Sequence, residues 1–344
     1  MRLRLLRLLQ LLRFLRFLRL LRLRGLAVVV GAALLATACG GEGGGDGEGA
    51  KGGKGLEKRT LTVGTMPVAD TAPFELARSK GLFAKEGLTV RTQTLSGGAE
   101  SISRLKAGAL DVSFGNYVSF MLADTNKAID VRIVADAFQS APGTHALLVK
   151  QDSPIKSLAD LKGKRIGVNT KRNISALLVK AAAKEAGVAL DDDKAFAEVD
   201  MPNMGTALKS GSVDAVQAVE PFVTQITASG TGRVLRDLGA EPTKDFPIAG
   251  YGTTAEFAEK HPKTVAAFQR ALAAAQAMAE DRSLVEQTLP SYTKITAPVA
   301  KEISLGTYPT EVSEERLRRV ADLMTEFGYV KGEVDVPGLL IRGG

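Results

Sequence analysis

A six-residue stretch of this chain occurs twice, and this repeat constrains the fold more than any other feature of the sequence. Residues 106–111 read KAGALD and residues 209–214 read KSGSVD, an offset of 103 residues. The same offset pairs Leu105 with Leu208 and Gly64 with Gly167. Matches that keep one register over a hundred residues indicate a duplicated architecture. In each copy a helix ends at glycine and the chain enters a strand through aspartate, so we expect two similar α/β lobes.

Short β-rich runs alternate with helical runs in the first copy. The residue patterns predict strands at 61–63, 89–95 and 112–114, and helices at 74–85 and 101–106. This order predicts a parallel, doubly wound sheet. After Gly250 the pattern becomes helical, and we expect helices at 262–279, 283–289 and 313–327.

The first 38 residues have the composition of a secretory signal. Eight arginines and no acidic residue precede Cys39, which is the only cysteine, and an apolar run at 26–38 ends in small residues. That run is too short to span a bilayer, which takes about 20 residues. Residues 34–39, LLATAC, resemble the bacterial lipoprotein lipobox, with Ala36 where that family usually has leucine. We therefore expect cleavage before Cys39, acylation of its thiol, and a lipid anchor on the outer face of the cell membrane.

Two alternatives stay open for this segment. From Arg4 to Arg22 its arginines fall three residues apart, with Gln10 in place of one, and this is not the helical period of 3.6. An over-long signal or a start codon assigned too far upstream therefore explains the segment better than a membrane-surface helix. A free thiol in a buried signal helix is the other alternative. Removing residues 1–38 lowers the basic residues from 45 to 37, against 38 acidic ones. The charge therefore gives no reason to expect a nucleic-acid partner.

Residues 39–58 are so rich in glycine that we expect a flexible tether, followed by a folded part long enough for two domains. Without another cysteine, that part has no disulfide or thiolate metal site. The two histidines, His145 and His261, lie far apart in the sequence and outside any metal-ligand spacing. We expect His145 to be a neutral imidazole packed in a crossover strand. We expect no metal and no cofactor.

Four further stretches resemble one family of proteins. They are TLTVG at 60–64, ARSKGLFAKEGL at 77–88, SGG at 96–98 and LADLKGKRIGV at 158–168. Over about residues 60–330 the chain resembles the nitrate/sulfonate/taurine class of extracytoplasmic solute-binding proteins. The resemblance implies a type II periplasmic-binding fold, an α/β fold in which two doubly wound lobes and C-terminal helices enclose a ligand. It also implies an ABC permease with its ATPase as partners, and a monomer.

The resemblance divides the chain into two lobes with a hinge. Lobe 1 comprises residues 59–148 and 249–344, and lobe 2 comprises residues 149–248. The connections between them are expected near 145–150 and 245–250.

Ligands of open α/β sheets bind beyond the carboxyl ends of the strands, where helix N-termini point into the crevice. The residues that follow predicted strands in lobe 1 are Thr65, Met66, Ser96, Gly97, Gly98, Asn116 and Tyr117. Their counterparts in lobe 2 are Thr170, Asn173 and Glu220. Ser96 to Gly98 and Asn116 also suit a turn or a helix cap. Tyr117 at a loop mouth would offer a ring face and a hydroxyl, while Lys171 and Arg172 suit an anion or are merely solvated.

Glu220 decides between ligand classes. Pro221 after it suits the first turn of a helix, so its charge could serve only to complement the helix dipole. In the cleft, however, a carboxylate would repel a simple oxyanion. It would favour either a zwitterion such as taurine or a heteroaromatic ligand such as the pyrimidine precursor of thiamine. The scarcity of aromatic residues favours a small ligand.

Binding for import is the leading interpretation, and an enzyme is the alternative from another class. No nucleophile elbow, phosphate loop or catalytic triad pattern is present. A pyrimidine synthase shares the scaffold, but it resembles a cysteine-rich, iron-using catalyst, and the sole cysteine here lies in the signal. A third interpretation, that the protein is a ligand sensor that docks on a membrane receptor, also remains possible from the sequence.

Overall fold

The computed structural model describes residues 55–341, which form two five-stranded mixed sheets. Cys39, the segment 1–38 and most of the predicted tether lie outside the described residues. The strands, in chain order, are β1 Thr60–Thr65, β2 Thr89–Thr94, β3 Val112–Asn116, β4 Val131–Gln139, β5 His145–Lys150, β6 Ile166–Val168, β7 Phe196–Glu198, β8 Ala215–Val219, β9 Gly232–Asp237 and β10 Pro247–Thr254. Lobe 1 carries the sheet β2-β1-β3-β10-β4, and lobe 2 carries β7-β6-β8-β5-β9. The two-lobe α/β fold is thus confirmed.

The repeat in the sequence corresponds to a repeat in the topology. Strands β3 and β8 begin 103 residues apart, and they pair in parallel with β1 in lobe 1 and with β6 in lobe 2, respectively. The three strands that predicted a parallel sheet, β1, β2 and β3, do pair in parallel. One strand in each lobe departs from this pattern. Strand β10 runs antiparallel to β3 and β4, and β5 runs antiparallel to β8 and β9. Each of these strands enters its sheet from the other lobe, which reverses its direction.

The helices, in chain order, are α1 Ala72–Ser79, α2 Leu82–Lys85, α3 Gly98–Lys106, α4 Tyr117–Thr125, α5 Ile174–Glu185, α6 Asp192–Ala195, α7 Met204–Ser210, α8 Phe222–Ala228, α9 Ala255–Lys260, α10 Pro262–Met278, α11 Arg282–Thr288, α12 Ala297–Glu302, α13 Glu314–Glu326 and α14 Val336–Leu339. The helix predicted over 74–85 is interrupted because Gly81 adopts the left-handed conformation, with φ at 67°. Helices α10, α11 and α13 match the three predicted C-terminal helices to within a residue or so. Among residues 55–341, no helix combines the length and the apolar character needed to cross a membrane.

The chain passes between the lobes twice, at residues 140–144 and 238–246. The boundary expected after residue 148 falls within β5, and the one expected after residue 248 falls within β10. His145 is therefore the first residue of a strand inside the lobe 2 sheet. It is buried, and burial lowers the pKa of its imidazole to about 3, so the ring is neutral as expected.

The core of lobe 1 holds a cluster of aromatic rings. Phe74 of α1, Phe83 of α2 and Phe268 of α10 pack within 6.5 Å of one another, ring centre to ring centre. Tyr251 of β10 stacks on Phe74 at 5.6 Å. This packing fixes the C-terminal helix α10 to the first lobe.

Candidate functional site

The two lobes touch where the strands of their sheets end. The Asn169 side-chain amide, directly after β6, donates a hydrogen bond of 2.8 Å to the carbonyl of Ser96, which follows β2. The backbone N–H of Ala69, beyond β1, donates one of 3.0 Å to the carbonyl of Glu220, which follows β8. Strand-end residues of both lobes therefore meet between the two sheets, where ligands of doubly wound folds bind, and we call this region the cleft.

Gly97 and Gly98 permit a close approach of side chains from both sides of this cleft. A Cβ atom on Gly97 would lie 2.5 Å from Asn169 Oδ1 and 3.2 Å from Thr170 Oγ1. A Cβ atom on Gly98 would lie 2.3 Å from Ser119 Oγ. The exposed Ser96 donates from its N–H and its hydroxyl to Glu100 Oε2, each at 2.8 Å. Residues 96–98 thus form the turn that leads into α3, and they are also the place where lobe 2 contacts the start of that helix.

Asn116 and Tyr117 begin α4, and they play different parts. Asn116 is the helix cap, with its Oδ1 accepting from the Ser119 N–H at 2.9 Å, while its Nδ2 lies beside Gly98. Tyr117 is fully buried instead of lying at a loop mouth, because it is the first helical residue and packs inward against Gly250. Burial, reinforced by nearby Asp136, raises the pKa of its phenol well above the usual value. The expected exposed ring face does not exist.

Thr65 supplies a buried hydroxyl at the end of β1. Only 7% of the residue is exposed, and within residues 55–341 its Oγ1 has no hydrogen-bond partner. Its carbonyl accepts from the Leu95 N–H at 2.9 Å, so Thr65 lies beside the turn at Ser96. Met66 is half-buried, and its carbonyl accepts from the Thr71 hydroxyl at 2.8 Å. An unpaired buried hydroxyl is uncommon, and it marks a position where a ligand atom would find a ready partner.

In lobe 2, the loop at residues 169–173 gives the cleft neutral groups. Thr170 Oγ1 lies 3.4 Å from Asn169 Oδ1, and Asn173 is a buried cap of α5 that accepts from the Ser175 N–H at 2.9 Å.

The two cations of this loop are engaged elsewhere. The backbone N–H of Lys171 donates to Glu198 at 2.9 Å, and its ammonium lies 3.4 Å from the Asp193 carbonyl. Arg172 donates to the carbonyl of Tyr329 at 3.1 Å. Neither is merely solvated.

Glu220 is buried, and both of its carboxylate oxygens are used inside the protein. One accepts from the Thr224 N–H at 3.1 Å, and the other accepts from the Thr224 hydroxyl at 2.8 Å and from the Ser304 N–H at 3.1 Å. Burial raises its pKa, against the lowering effect of these hydrogen bonds. The geometry matches the helix-cap alternative, since the carboxylate closes the first turn of α8. Glu220 borders the cleft through its carbonyl.

Asn169 directly follows β6, so it obeys the same strand-end rule that points to Thr170. Two groups that the sequence did not single out also meet at or beside the cleft. Ser119 lies one helical turn after Asn116, and Ser304 comes from a segment 84 residues beyond Glu220. Only the folded chain brings such residues together. Across residues 55–341, no three histidine, aspartate or glutamate side chains are grouped so that they could hold a metal ion.

Two mixed α/β sheets, joined by two crossings and meeting at their strand ends, form the two-lobed fold that periplasmic binding proteins have. The chain belongs to the NMT1-like family, whose model matches residues 54–289. This membership confirms the resemblance drawn from the sequence.

Individual relatives and solved structures agree with this assignment. A protein of Brucella abortus named as a binding protein is 30% identical over 181 residues, which are 52% of this chain and 54% of the relative, so the chain spans about half the length of that relative. A protein of Bacillus subtilis named as an aliphatic sulfonates-binding protein is 25% identical over 71% of this chain and 70% of its own. The alkanesulfonate-binding protein SsuA of Xanthomonas axonopodis, bound to MOPS, has a similar fold. Its TM-score is 0.72 at 19% identity, covering 83% of this chain and 99% of that one.

Proposed function

We propose that this protein is a lipid-anchored, extracytoplasmic solute-binding protein that captures a small oxyanion, of the alkanesulfonate or nitrate kind, for an ABC importer. The observation that carries the proposal is the set of neutral donors at the cleft. The Thr65 hydroxyl is buried and unpartnered, the Asn116 amide and the Ser119 hydroxyl lie against Gly98, and α3 begins there. A helix N-terminus with hydroxyl and amide donors suits an anion.

The site disfavours the other ligands considered. A free carboxylate would favour the ammonium group of a zwitterion such as taurine, but the carboxylate of Glu220 is occupied by Thr224 and Ser304. A pyrimidine needs an aromatic surface to stack on, but Tyr117 is fully buried. The names of the Bacillus and Xanthomonas relatives support a sulfonate.

The residues also support binding in preference to catalysis. The sole cysteine of the chain is Cys39, and His145 is a buried neutral imidazole in the core of lobe 2. Among the described cleft residues, the Asn116 and Thr170 side chains contact neutral groups, and the Ser96 hydroxyl donates to the carboxylate of Glu100 at the first turn of α3. Capture follows from closure of the two lobes about the crossings at 140–144 and 238–246.

A thermal-shift screen of the purified protein, followed by calorimetric titration, tests the proposal. Methanesulfonate, longer alkanesulfonates and nitrate should raise the melting temperature, because a ligand stabilises the state that binds it. Taurine and an aminopyrimidine serve as the contrasting ligands. Stabilisation by the aminopyrimidine alone, or by none of these compounds, would contradict the proposed ligand class.

A further inference from the structure

The lobes make a second contact away from the cleft, at the end of helix α13. This helix packs on α4 and β10, so it belongs to lobe 1. Its Arg319 donates to the carbonyl of Asp245 in the second crossing at 2.7 Å. The helix continues for seven more residues, about 10 Å, to Glu326. The residues that follow it therefore reach lobe 2 well away from the crossing.

There, Tyr329 enters a group of charges that belongs to lobe 2. Only 4% of Tyr329 is exposed, and its hydroxyl donates to Asp192 Oδ1 at 3.1 Å. Lys180 Nζ and Arg172 Cζ each lie 5.0 Å from the centre of its ring. Asp192 also accepts from Lys180 at 2.8 Å. We call Arg172, Lys180, Asp192 and Tyr329 the Tyr329 clamp.

The ring of Tyr329 adds a partner from lobe 1 to a group of charges in lobe 2. Two cations, one of them the buried Lys180, pair with the carboxylate of Asp192, and Lys180 also interacts electrostatically with Asp191. An aromatic face from lobe 1 attracts both cations, and its hydroxyl gives Asp192 a further donor. Separation of the lobes here removes both interactions at once.

The Tyr329 clamp and the candidate site are connected through one short loop. Asn169 at its start contacts Ser96 across the cleft, and Arg172, three residues later, donates to the Tyr329 carbonyl. Arg172 has a φ of 50°, in the left-handed region that residues other than glycine rarely occupy. A conformation of this kind persists only when its surroundings impose it. Arg172 is held here by its contacts with Tyr329, and its neighbours by the Lys171 N–H bond to Glu198 and the Asn173 cap.

Resting on the proposed function, we propose that Tyr329 is a positioning residue for ligand capture. The Tyr329 clamp holds the loop at residues 169–173 in the conformation that presents Asn169 and Thr170 to the cleft, and it holds lobe 2 against lobe 1. Loss of the clamp lowers the population of the competent state and so weakens binding without removing a ligand contact.

Three variants test this role. Tyr329→Phe removes only the hydroxyl, and Tyr329→Leu removes the ring face as well. Glu326→Gln is the matched control, because the Glu326–Lys184 ion pair joins the same two elements at the exposed surface. Calorimetric titration with methanesulfonate should show affinity about tenfold weaker for Tyr329→Leu, about threefold weaker for Tyr329→Phe, and unchanged for Glu326→Gln.

Hydrogen exchange in the ligand-free protein provides a readout that does not depend on the ligand. The amides of residues 169–173 should exchange faster in both Tyr329 variants, and those of β1 should not. If wild-type protein does not bind methanesulfonate, the proposed ligand class fails while the exchange result still decides the role of the clamp. If Tyr329→Leu does not fold, Tyr329→Phe decides alone. Unchanged exchange at residues 169–173 in a folded variant overturns the inference.

Discussion

The carboxylate of Glu220 accepts a hydrogen bond of 3.1 Å from the backbone N–H of Ser304, which ties lobe 2 to the segment after helix α12. A second oxygen of the same carboxylate caps helix α8 through the Thr224 N–H. The residue that the sequence left as a choice between ligand selection and helix capping is thus built into the framework between the lobes. The contribution of Glu220 can therefore be measured as a change in the free energy of unfolding.

Glu220→Gln should lower the free energy of unfolding by about 1–3 kcal/mol, because the amide NH₂ of glutamine would face a backbone or hydroxyl donor and leave a buried group unpaired. The order of preference among nitrate, methanesulfonate and taurine should not change. Urea unfolding and calorimetric titration measure the two effects, with the exposed Glu302→Gln as control. A variant with normal stability that now prefers plain anions would return Glu220 to the binding site.

Gly97→Ala should weaken ligand binding tenfold or more, since its Cβ would lie 2.5 Å from Asn169 Oδ1 and prevent the lobes from closing. The backbone of Gly97 is extended, so alanine causes no local strain. Gly205→Ala, in helix α7 of lobe 2, is the control, because its Cβ meets only the side chain of Ile226, at 3.3 Å. Combining Gly97→Ala with Asn169→Ala should restore part of the affinity. Equal affinity of the Gly97 variant and wild type would show that closure does not bring these residues together.

Thr65→Val should weaken binding of methanesulfonate about fivefold to tenfold, the effect of losing one hydrogen bond of about 1–1.5 kcal/mol. The ligand-free protein should be as stable as wild type or more so, because the lost hydroxyl has no partner. Thr71→Val is the informative comparison, since the Thr71 hydroxyl donates to the carbonyls of Met66 and Val68. That variant should lose stability in thermal unfolding. Unaltered titration curves for Thr65→Val would remove Thr65 from the site.

Asp70 should make the stability of the protein fall between about pH 4 and pH 7. Burial raises the pKa of its carboxyl from 3.8 to about 7, so the folded state binds a proton that the unfolded state has released. Stability from this group is complete below pH 3.8 and is lost as the pH rises to 7. Asp70→Asn keeps the neutral form and should be more stable than wild type at pH 8, by up to roughly 4 kcal/mol, and equal to it at pH 4. Urea unfolding at both pH values checks this, with the exposed Asp152→Asn as control; parallel pH profiles would contradict it.

Cys39→Ser should release the protein from the membrane fraction, because the acylated thiol is its proposed anchor. Intact-mass analysis of the wild type should show the added lipid, and the serine variant should lack it. Membrane retention of the variant, together with an unmodified mass for the wild type, would contradict the anchor.

The sequence was sufficient to predict the two lobes, the first three strands and the long C-terminal helices, because the repeat and the alternation of strand and helix patterns are visible in the sequence. It was insufficient for the direction of β5 and β10, since periodicity reports which face a strand buries and not which way it runs. The burial of Tyr117 was missed because the strand-end rule locates a residue along the chain, not the direction of its side chain. The contact between Arg172 and Tyr329 joins residues 157 apart, a distance at which no local pattern operates.

Strand β10 lies between β3 and β4 in the lobe 1 sheet, so this sheet cannot be completed in the order in which its strands are synthesised. Every strand of lobe 2 lies between residues 145 and 237, so its sheet can be completed before β10 has been made. Lobe 1 begins earlier in the chain, yet until residues 247–254 arrive β3 and β4 present unpaired edges to each other. A chain still being synthesised can therefore hold a finished second lobe beside an open first one. The interval before β10 inserts is the stage at which this protein is most exposed to aggregation.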